Sequence, residues 1–107
     1  MTDLPAPVQS ALDAANAGDA EAFLDAFADG DGAVDDWGRV FSGREAIRGW
    51  SDSEFIGKQV TLEVTGVRTD GATTVVSAQV GGNGFNGPSD FAFEVSGDRV
   101  ARMTISG

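Results

Sequence analysis

The sequence contains no cysteine, no histidine and no tyrosine. The lack of cysteine excludes disulfide bonds and thiol nucleophiles. The lack of histidine removes the commonest general base and the commonest transition-metal ligand. Acid–base chemistry would therefore depend on aspartate or glutamate side chains. We expect no bound metal ion and no cofactor.

Basic residues are also scarce, with 7 against 17 acidic residues, and the net charge is −10. This charge would repel a nucleic acid or an anionic membrane surface, so neither is an expected partner. The simplest role of the acidic surplus is solubility.

No apolar run is long enough to span a membrane. The N-terminal segment MTDLPAPVQS has neither the basic region nor the apolar core of a signal peptide. These features predict a cytoplasmic protein. With 107 residues, of which 41% are hydrophobic, the chain is expected to form a single domain spanning residues 1–107.

The first half of the chain carries helical patterns. Apolar residues recur at helical spacing from Val8 to Ala15 and again from Phe23 to Phe27. Gly18 is suited to end the first helix in the left-handed conformation, and Asp19 is suited to cap the second.

One early strand is predicted from Ala33 to Trp37, with Gly38 to Phe41 as a connection to a third helix. That helix is expected to begin with a capping box of Ser42 and Glu45, since each side chain can bond the other's backbone N–H.

From Lys58 onward the hydrophobic period changes to two, which is typical of strands. Gly66 predicts a bulge, and Asp70-Gly71 predicts a hairpin turn. Further strands are expected at 73–80, 89–96 and 99–105. Three N-terminal helices followed by such strands predict an α+β fold. In this fold a curved, mostly antiparallel sheet wraps around the helices and leaves a cone-shaped pocket.

Asp36 is the strongest candidate for chemistry, because it lies near the end of the early strand and directly before Trp37. A carboxylate among aromatic rings loses hydration, which disfavours its charged form and suits it to proton transfer near neutral pH. The alternatives are that Asp36 is solvated or paired with Arg39. Because Gly38 interrupts the strand before Arg39, we favour desolvation.

Several short segments resemble the nuclear transport factor 2-like superfamily, which includes the SnoaL-like polyketide cyclases and ketosteroid isomerase. They are NAGD at 16–19, FAD at 27–29, AVDD at 33–36, GREAIR at 43–48 and GDRVARM at 97–103. The resemblance covers nearly the whole chain and implies the cone-shaped α+β fold described above.

The resemblance also implies roles for individual residues. Asp36 falls where ketosteroid isomerase carries its proton-shuttling aspartate. The tyrosine that holds the oxyanion in that enzyme falls on Ala11, and its protonated aspartate falls on Ser89. Asp90 is one position away and should face the opposite side of its strand. A base would therefore remain without its oxyanion hole, so steroid isomerisation is not the expected activity.

The pocket implied by the resemblance would be walled by aromatic side chains. Phe85 lies in the glycine-rich segment 81–88, which lacks the sequence of a phosphate-binding loop and is expected to act as a mobile lid or a dimer contact. The ligand-binding candidates are Trp37, Phe41, Trp50, Phe55, Phe85, Ser89, Phe91 and Phe93, with ordinary core packing as the alternative for Phe91 and Phe93.

The sequence therefore predicts a SnoaL-like domain with an apolar pocket for a small hydrophobic molecule. Proton-transfer chemistry of an isomerase or cyclase kind at Asp36 is one hypothesis. The alternatives are a binding module without catalysis and a dimeric protein-interaction module. A homodimer built from the outer face of the sheet is expected.

Overall fold

A computed structural model describes residues 4–107; Met1 to Asp3, the start of the N-terminal segment discussed above, lie outside it. Residues 4–107 form three α-helices, a six-stranded sheet and one short 3-10 helix at Ile56–Lys58. In chain order the elements are α1 (Ala6–Ala17), α2 (Ala20–Asp25), β1 (Ala33–Asp36), β2 (Arg39–Ser42), α3 (Arg44–Glu54), β3 (Thr61–Asp70), β4 (Thr73–Gly81), β5 (Gly87–Ser96) and β6 (Arg99–Ser106).

The strand order is β2-β1-β6-β5-β4-β3, and the pair of β1 with β6 is parallel while the other neighbouring pairs are antiparallel. The predicted α+β fold, with helices packed on a mostly antiparallel sheet, is confirmed. Within residues 4–107, none of the helices has the length and apolar character needed to cross a membrane.

Local sequence signals set the helix ends in the first half of the chain. Gly18 ends α1 in the left-handed conformation, with φ 70°, where the lack of a Cβ avoids a clash. Asp19 caps α2, since its side chain accepts a hydrogen bond from the backbone N–H of Ala22 at 3.1 Å. Both predicted helix ends are confirmed.

The capping box predicted for α3 is wrong. Gly43 is the N-cap residue and makes no side-chain hydrogen bond. Ser42 belongs to β2 and is paired with Ala33 across the hairpin, so its position is fixed by the sheet rather than by the helix. α3 begins at Arg44 and runs to Glu54.

The segment predicted as a connection after Trp37 is in fact a strand. β1 and β2 form a hairpin whose two-residue turn is Trp37-Gly38, with φ values of 54° and 90°. Two positive φ values are characteristic of the type I′ turn that joins tightly paired strands. The turn sequence lacks the usual Asn-Gly or Asp-Gly signal, which explains why the sequence did not indicate a hairpin here.

The long strands follow the sequence predictions more closely. A register shift between Val64 and Gly66 confirms the predicted bulge, and Asp70-Gly71 lies in the hairpin that joins β3 to β4, with Gly71 at φ 62°. The glycine-rich connection is shorter than predicted, because β4 extends to Gly81 and β5 begins at Gly87.

The core lies between the three helices and the inner face of the sheet. α1 packs on β3, β5 and β6, α3 packs on β2, and α2 contacts α1 and α3. Burying these apolar side chains is the main favourable contribution to folding. The largest fully buried apolar side chains are Phe23, Phe91, Phe93, Ile47, Met103, Val8, Val34, Val76 and Val100.

Candidate functional site

A cavity of about 330 Å³ opens between the C-terminal end of α3, the 3-10 helix and the inner face of the sheet. Its walls combine aromatic rings, aliphatic side chains and four charged residues. They are Asp36, Trp37, Arg39, Trp50, Glu54, Phe55, Lys58, Val60, Val80, Gly81, Gly84, Phe85, Ser89, Phe91 and Ile105.

Asp36 lies on this wall at the end of β1, and its side chain is 16% exposed. Its Oδ2 accepts a hydrogen bond from the indole N–H of Trp50 at 3.0 Å and from Nη2 of Arg39 at 2.6 Å. Oδ1 has no hydrogen-bond partner among the described residues. The neighbouring Asp35 points elsewhere, to Arg102 at 2.9 Å and to the backbone N–H of Gly38 at 2.7 Å.

The expectation that Asp36 is desolvated rather than ion-paired with Arg39 is wrong. The tight turn places Arg39 directly opposite Asp36 in the β1–β2 register. Cross-strand neighbours on one face lie about 4.5–5.5 Å apart at Cβ, so the guanidinium reaches the carboxylate. Gly38 interrupts the strand, as predicted, but it does so by reversing the chain and thereby brings the two residues together.

Arg39 also joins the sheet to α3. Its two terminal nitrogens donate to both carboxylate oxygens of Glu54, at 3.0 Å and 2.7 Å. These hydrogen bonds lower the pKa of Glu54, and the positive charges of Arg39 and Lys58 lower it further. The pKa of Arg39 is raised by Glu54 first and by Asp36 second. One guanidinium therefore binds two carboxylates at the cavity wall.

The inner aromatic wall is a series of touching rings. Trp50 stacks on Phe55, with ring centroids 4.8 Å apart, and Phe55 lies 6.4 Å from Phe91. Phe41 packs behind this wall, 6.2 Å from Trp50, and Phe93 is fully buried in the core. Of the eight predicted ligand-binding residues, six therefore surround the cavity, while Phe41 and Phe93 lie elsewhere.

Two further aromatic residues lie at the cavity wall and are largely exposed: Trp37 is 63% and Phe85 is 58% accessible. Trp37 occupies the left-handed region at φ 54°, which is unfavourable for a residue with a bulky side chain. A strained residue that contributes little to the core but forms part of a cavity wall is typical of a functional position.

The loop that carries Phe85 is tied down by hydrogen bonds. The side-chain amide of Asn86 donates to the carbonyl oxygens of Gly82 and Gly84, at 2.9 Å and 3.1 Å. The backbone N–H of Asn83 donates to the carbonyl oxygen of Lys58 at 2.8 Å. These bonds favour movement of the Phe85 side chain over movement of the whole loop.

Ser89 is buried on the inner face of β5, and among the described residues that line the cavity it alone carries a hydroxyl group. Asp90 lies on the outer face, as predicted, where its carboxylate accepts a hydrogen bond from the Ser77 hydroxyl at 2.7 Å. The cavity therefore offers one neutral hydroxyl group, that of Ser89, in addition to the four charged residues of its wall.

Glu54 and Lys58 are cavity residues that sequence reasoning missed, together with Val60, Val80 and Ile105. Ile105 could have been found from the sheet, since it pairs with both Asp36 and Phe91. Glu54 is the last residue of α3 and Lys58 ends the 3-10 helix, and no local pattern distinguishes them from ordinary surface charges.

Another depression, of about 410 Å³, lies between α1 and β3. It is lined by Leu4, Gln9, Leu12, Asp13, Asn16, Val64 and Val67. The Asn16 side chain crosses from helix to strand here, bonding both the N–H and the carbonyl oxygen of Leu62. This arrangement supports a structural role for Asn16.

No protein-family model and no curated protein sequence matches this chain. Its structure, however, is similar to those of several solved proteins. A candidate polyketide cyclase from Sinorhizobium meliloti is 28% identical, with a TM-score of 0.84 over 97% of this chain and 96% of that one.

Two other similar structures are those of a protein in complex with a small ligand and of a designed ligand-binding protein. A protein with a ketosteroid isomerase-like fold from Catenulispora acidiphila, in complex with trimethylamine, is 22% identical with a TM-score of 0.80 over 98% of this chain and 87% of that one. A computationally designed 17-OHP binder is 19% identical, with a TM-score of 0.85 over 99% of this chain and 92% of that one. As the sequence resemblance implied, this chain has the fold of the nuclear transport factor 2-like superfamily, the group that includes the SnoaL-like proteins.

Proposed function

We propose that this protein binds a small, mostly apolar molecule in the cavity between α3 and the sheet. This proposal rests on one observation, a cavity of about 330 Å³ with aromatic side chains in its wall. Ligand pockets typically measure about 300–1,000 Å³ and are lined by apolar and aromatic side chains with a few polar groups. The cavity is at the small end of this range, which favours a compact ligand.

Similar proteins support this proposal. The designed 17-OHP binder and the Catenulispora protein bound to trimethylamine use the same fold for ligands of very different size. In this chain the apolar body of a ligand would contact Trp50, Phe55 and Phe91. Trp37 and Phe85 would cover it from the outside, and the Ser89 hydroxyl would bind a polar group.

Proton transfer at Asp36 is a second candidate function. Two features of the site favour it: Asp36 lies on the cavity wall, and its Oδ1 has no hydrogen-bond partner among the described residues. The similarity to the candidate polyketide cyclase also supports proton transfer. Against it, Oδ2 already accepts two hydrogen bonds, one of them from a guanidinium. An oxygen that already accepts two hydrogen bonds has no lone pair left to accept a proton from a substrate. Binding without catalysis is therefore the better supported function.

We also propose a homodimer that uses the outer face of the sheet. Val75, Ala92 and Thr104 are consecutive cross-strand neighbours there, and Val75 is buried although it faces away from the helices. Strands that are apolar on both faces are normally covered on both. Sedimentation should show a dimer at micromolar concentration for the wild type and a monomer for Val75→Lys. A wild-type monomer would refute the dimer.

Native mass spectrometry of protein purified from its source tests the binding proposal. We expect a retained small molecule in the wild type and its loss in Val80→Phe, which fills the cavity from β4. Val75→Phe, on the opposite face of the same strand, is the matched control and should retain the ligand. If the Val80→Phe protein still retains the small molecule, the binding site lies outside this cavity.

A further inference from the structure

Part of the cavity wall resembles a binding site for a cation, but the position of the cation is occupied by a side chain of the protein itself. The carboxylates of Asp36 and Glu54 converge on one guanidinium, that of Arg39, at 2.6 Å and 2.7 Å. The ring of Phe41, which is not part of the cavity lining, faces the same guanidinium, 5.8 Å from its Cζ. Two carboxylates and an aromatic face are the groups that bind organic cations in proteins.

Arg39 is well suited to leave this site. Its side chain is 54% exposed, and that of Glu54 is 41% exposed, so water can replace the hydrogen bonds that are broken. Ion pairs at this degree of exposure contribute little to stability. A guanidinium displaced into solvent remains hydrated, whereas Asp36, with a side chain only 16% exposed, still needs a positive partner.

The rest of the cavity suits an apolar body attached to such a cation. Trp37 and Phe85 add exposed ring faces to the wall, and Trp50, Phe55 and Phe91 form its interior. The net charge of −10 attracts cations over long range and disfavours anions. An anionic ligand at Arg39 would have to approach Asp36 and Glu54 closely, and the single Lys58 on the wall does not offset both.

We propose that the ligand is an organic ammonium compound whose apolar body fills the cavity and whose positive nitrogen replaces the Arg39 guanidinium between Asp36 and Glu54. This inference rests on the proposed binding function and specifies its ligand class. Arg39 therefore competes with the ligand for the two carboxylates. Its guanidinium neutralises them when no ligand is bound, and the positive nitrogen of the ligand replaces it on binding.

Three probes of nearly equal shape test the charge preference. They are 2-phenylethylammonium, its neutral isostere propylbenzene, and the anion 3-phenylpropanoate. Both tryptophans of the protein line the cavity, and the Trp50 indole N–H contacts Asp36 directly, so the indole N–H resonances in ¹⁵N-labelled protein report binding. We expect the ammonium to bind about three- to tenfold more tightly than propylbenzene, and the anion to bind most weakly.

Charge-neutral variants test the exchange itself. Arg39→Gln removes the competitor and should raise the affinity for 2-phenylethylammonium about three- to tenfold, with little effect on propylbenzene. Arg68→Gln, on an exposed position of β3, changes the net charge equally and should leave both affinities unchanged. Asp36→Asn should reduce ammonium affinity, and Glu94→Gln is its matched control on the outer face.

The outcomes separate this inference from the binding proposal. If propylbenzene binds and the ammonium binds no more tightly, the ligand class is wrong while the cavity function stands. The same conclusion follows if Arg39→Gln weakens ammonium binding or if the anion binds best. If none of the three probes shifts either indole resonance, both proposals fail.

Discussion

The indole N–H of Trp50 donates a hydrogen bond to Oδ2 of Asp36, over a distance of 3.0 Å. This bond links α3 to the end of β1, and Arg39 binds the same oxygen from β2. Asp36 is thus a fixed connection between helix and sheet at the wall of the cavity, as well as the residue nearest to a catalytic role. Its substitution should therefore affect stability as well as binding.

Replacing Asp36 should destabilise the fold. In Asp36→Ala the buried indole N–H of Trp50 loses its acceptor, which typically costs about 1–3 kcal/mol. Asp36→Asn keeps an acceptor and should cost less, about 1 kcal/mol. Urea unfolding measures both, with exposed Asp52→Asn as the control. An Asp36→Asn protein at least as stable as the wild type would indicate a strained functional acid and would revive the catalytic hypothesis.

We expect Trp37 to contribute to ligand binding while lowering the stability of the fold. Because its φ is 54°, Trp37→Asn should relieve left-handed strain and raise the unfolding free energy by about 1 kcal/mol. The same substitution removes an aromatic wall and should weaken propylbenzene binding. Thermal unfolding and indole-detected titration of Trp50 check the two effects. A less stable Trp37→Asn protein would show that the ring contributes packing energy that outweighs the strain.

Phe85→Ala should weaken ligand affinity and speed ligand exchange without loss of stability. The ring is 58% exposed, so little burial is lost in the empty protein, whereas a bound ligand loses its outer contact. Val40→Ala, which removes another exposed apolar side chain, is the matched control. Unchanged affinity together with lower stability or weaker dimerisation would make Phe85 a structural residue.

Glu54 should contribute to the pH dependence of stability. Hydrogen bonds from Arg39 lower its pKa in the folded state, so its contribution is present above the unfolded pKa, near 4.5, and is lost as the pH falls through the folded pKa. Urea unfolding between neutral pH and about pH 3 should show a steeper acid loss in the wild type than in Glu54→Gln. Identical pH profiles would mean that the Arg39–Glu54 pair contributes nothing measurable to stability.

The sequence predicted the features that depend on neighbouring residues. Gly18, Asp19 and Gly66 carry their turn, cap and bulge signals locally, and the alternation after Lys58 reflects which face of each strand is buried. The family resemblance supplied the arrangement of helices and sheet, which periodicity alone does not determine.

The features that the sequence did not predict depend on long-range geometry. The β1–β2 hairpin uses a tryptophan where asparagine or aspartate is usual, so the sequence indicates neither β2 nor the pairing of Arg39 with Asp36. Glu54 reaches Arg39 across 15 positions of the chain, and nothing in its surroundings in sequence indicates that contact. The ion pairs of the candidate site are therefore products of the tertiary structure.

The most direct test of the central claim is to locate a bound apolar probe by intermolecular nuclear Overhauser effects. For propylbenzene in the wild-type protein we expect contacts with protons of Trp50, Phe55 and Phe91, and their loss in Val80→Phe. Contacts instead with Leu12 and Val67 would contradict the account and move the binding site to the depression between α1 and β3.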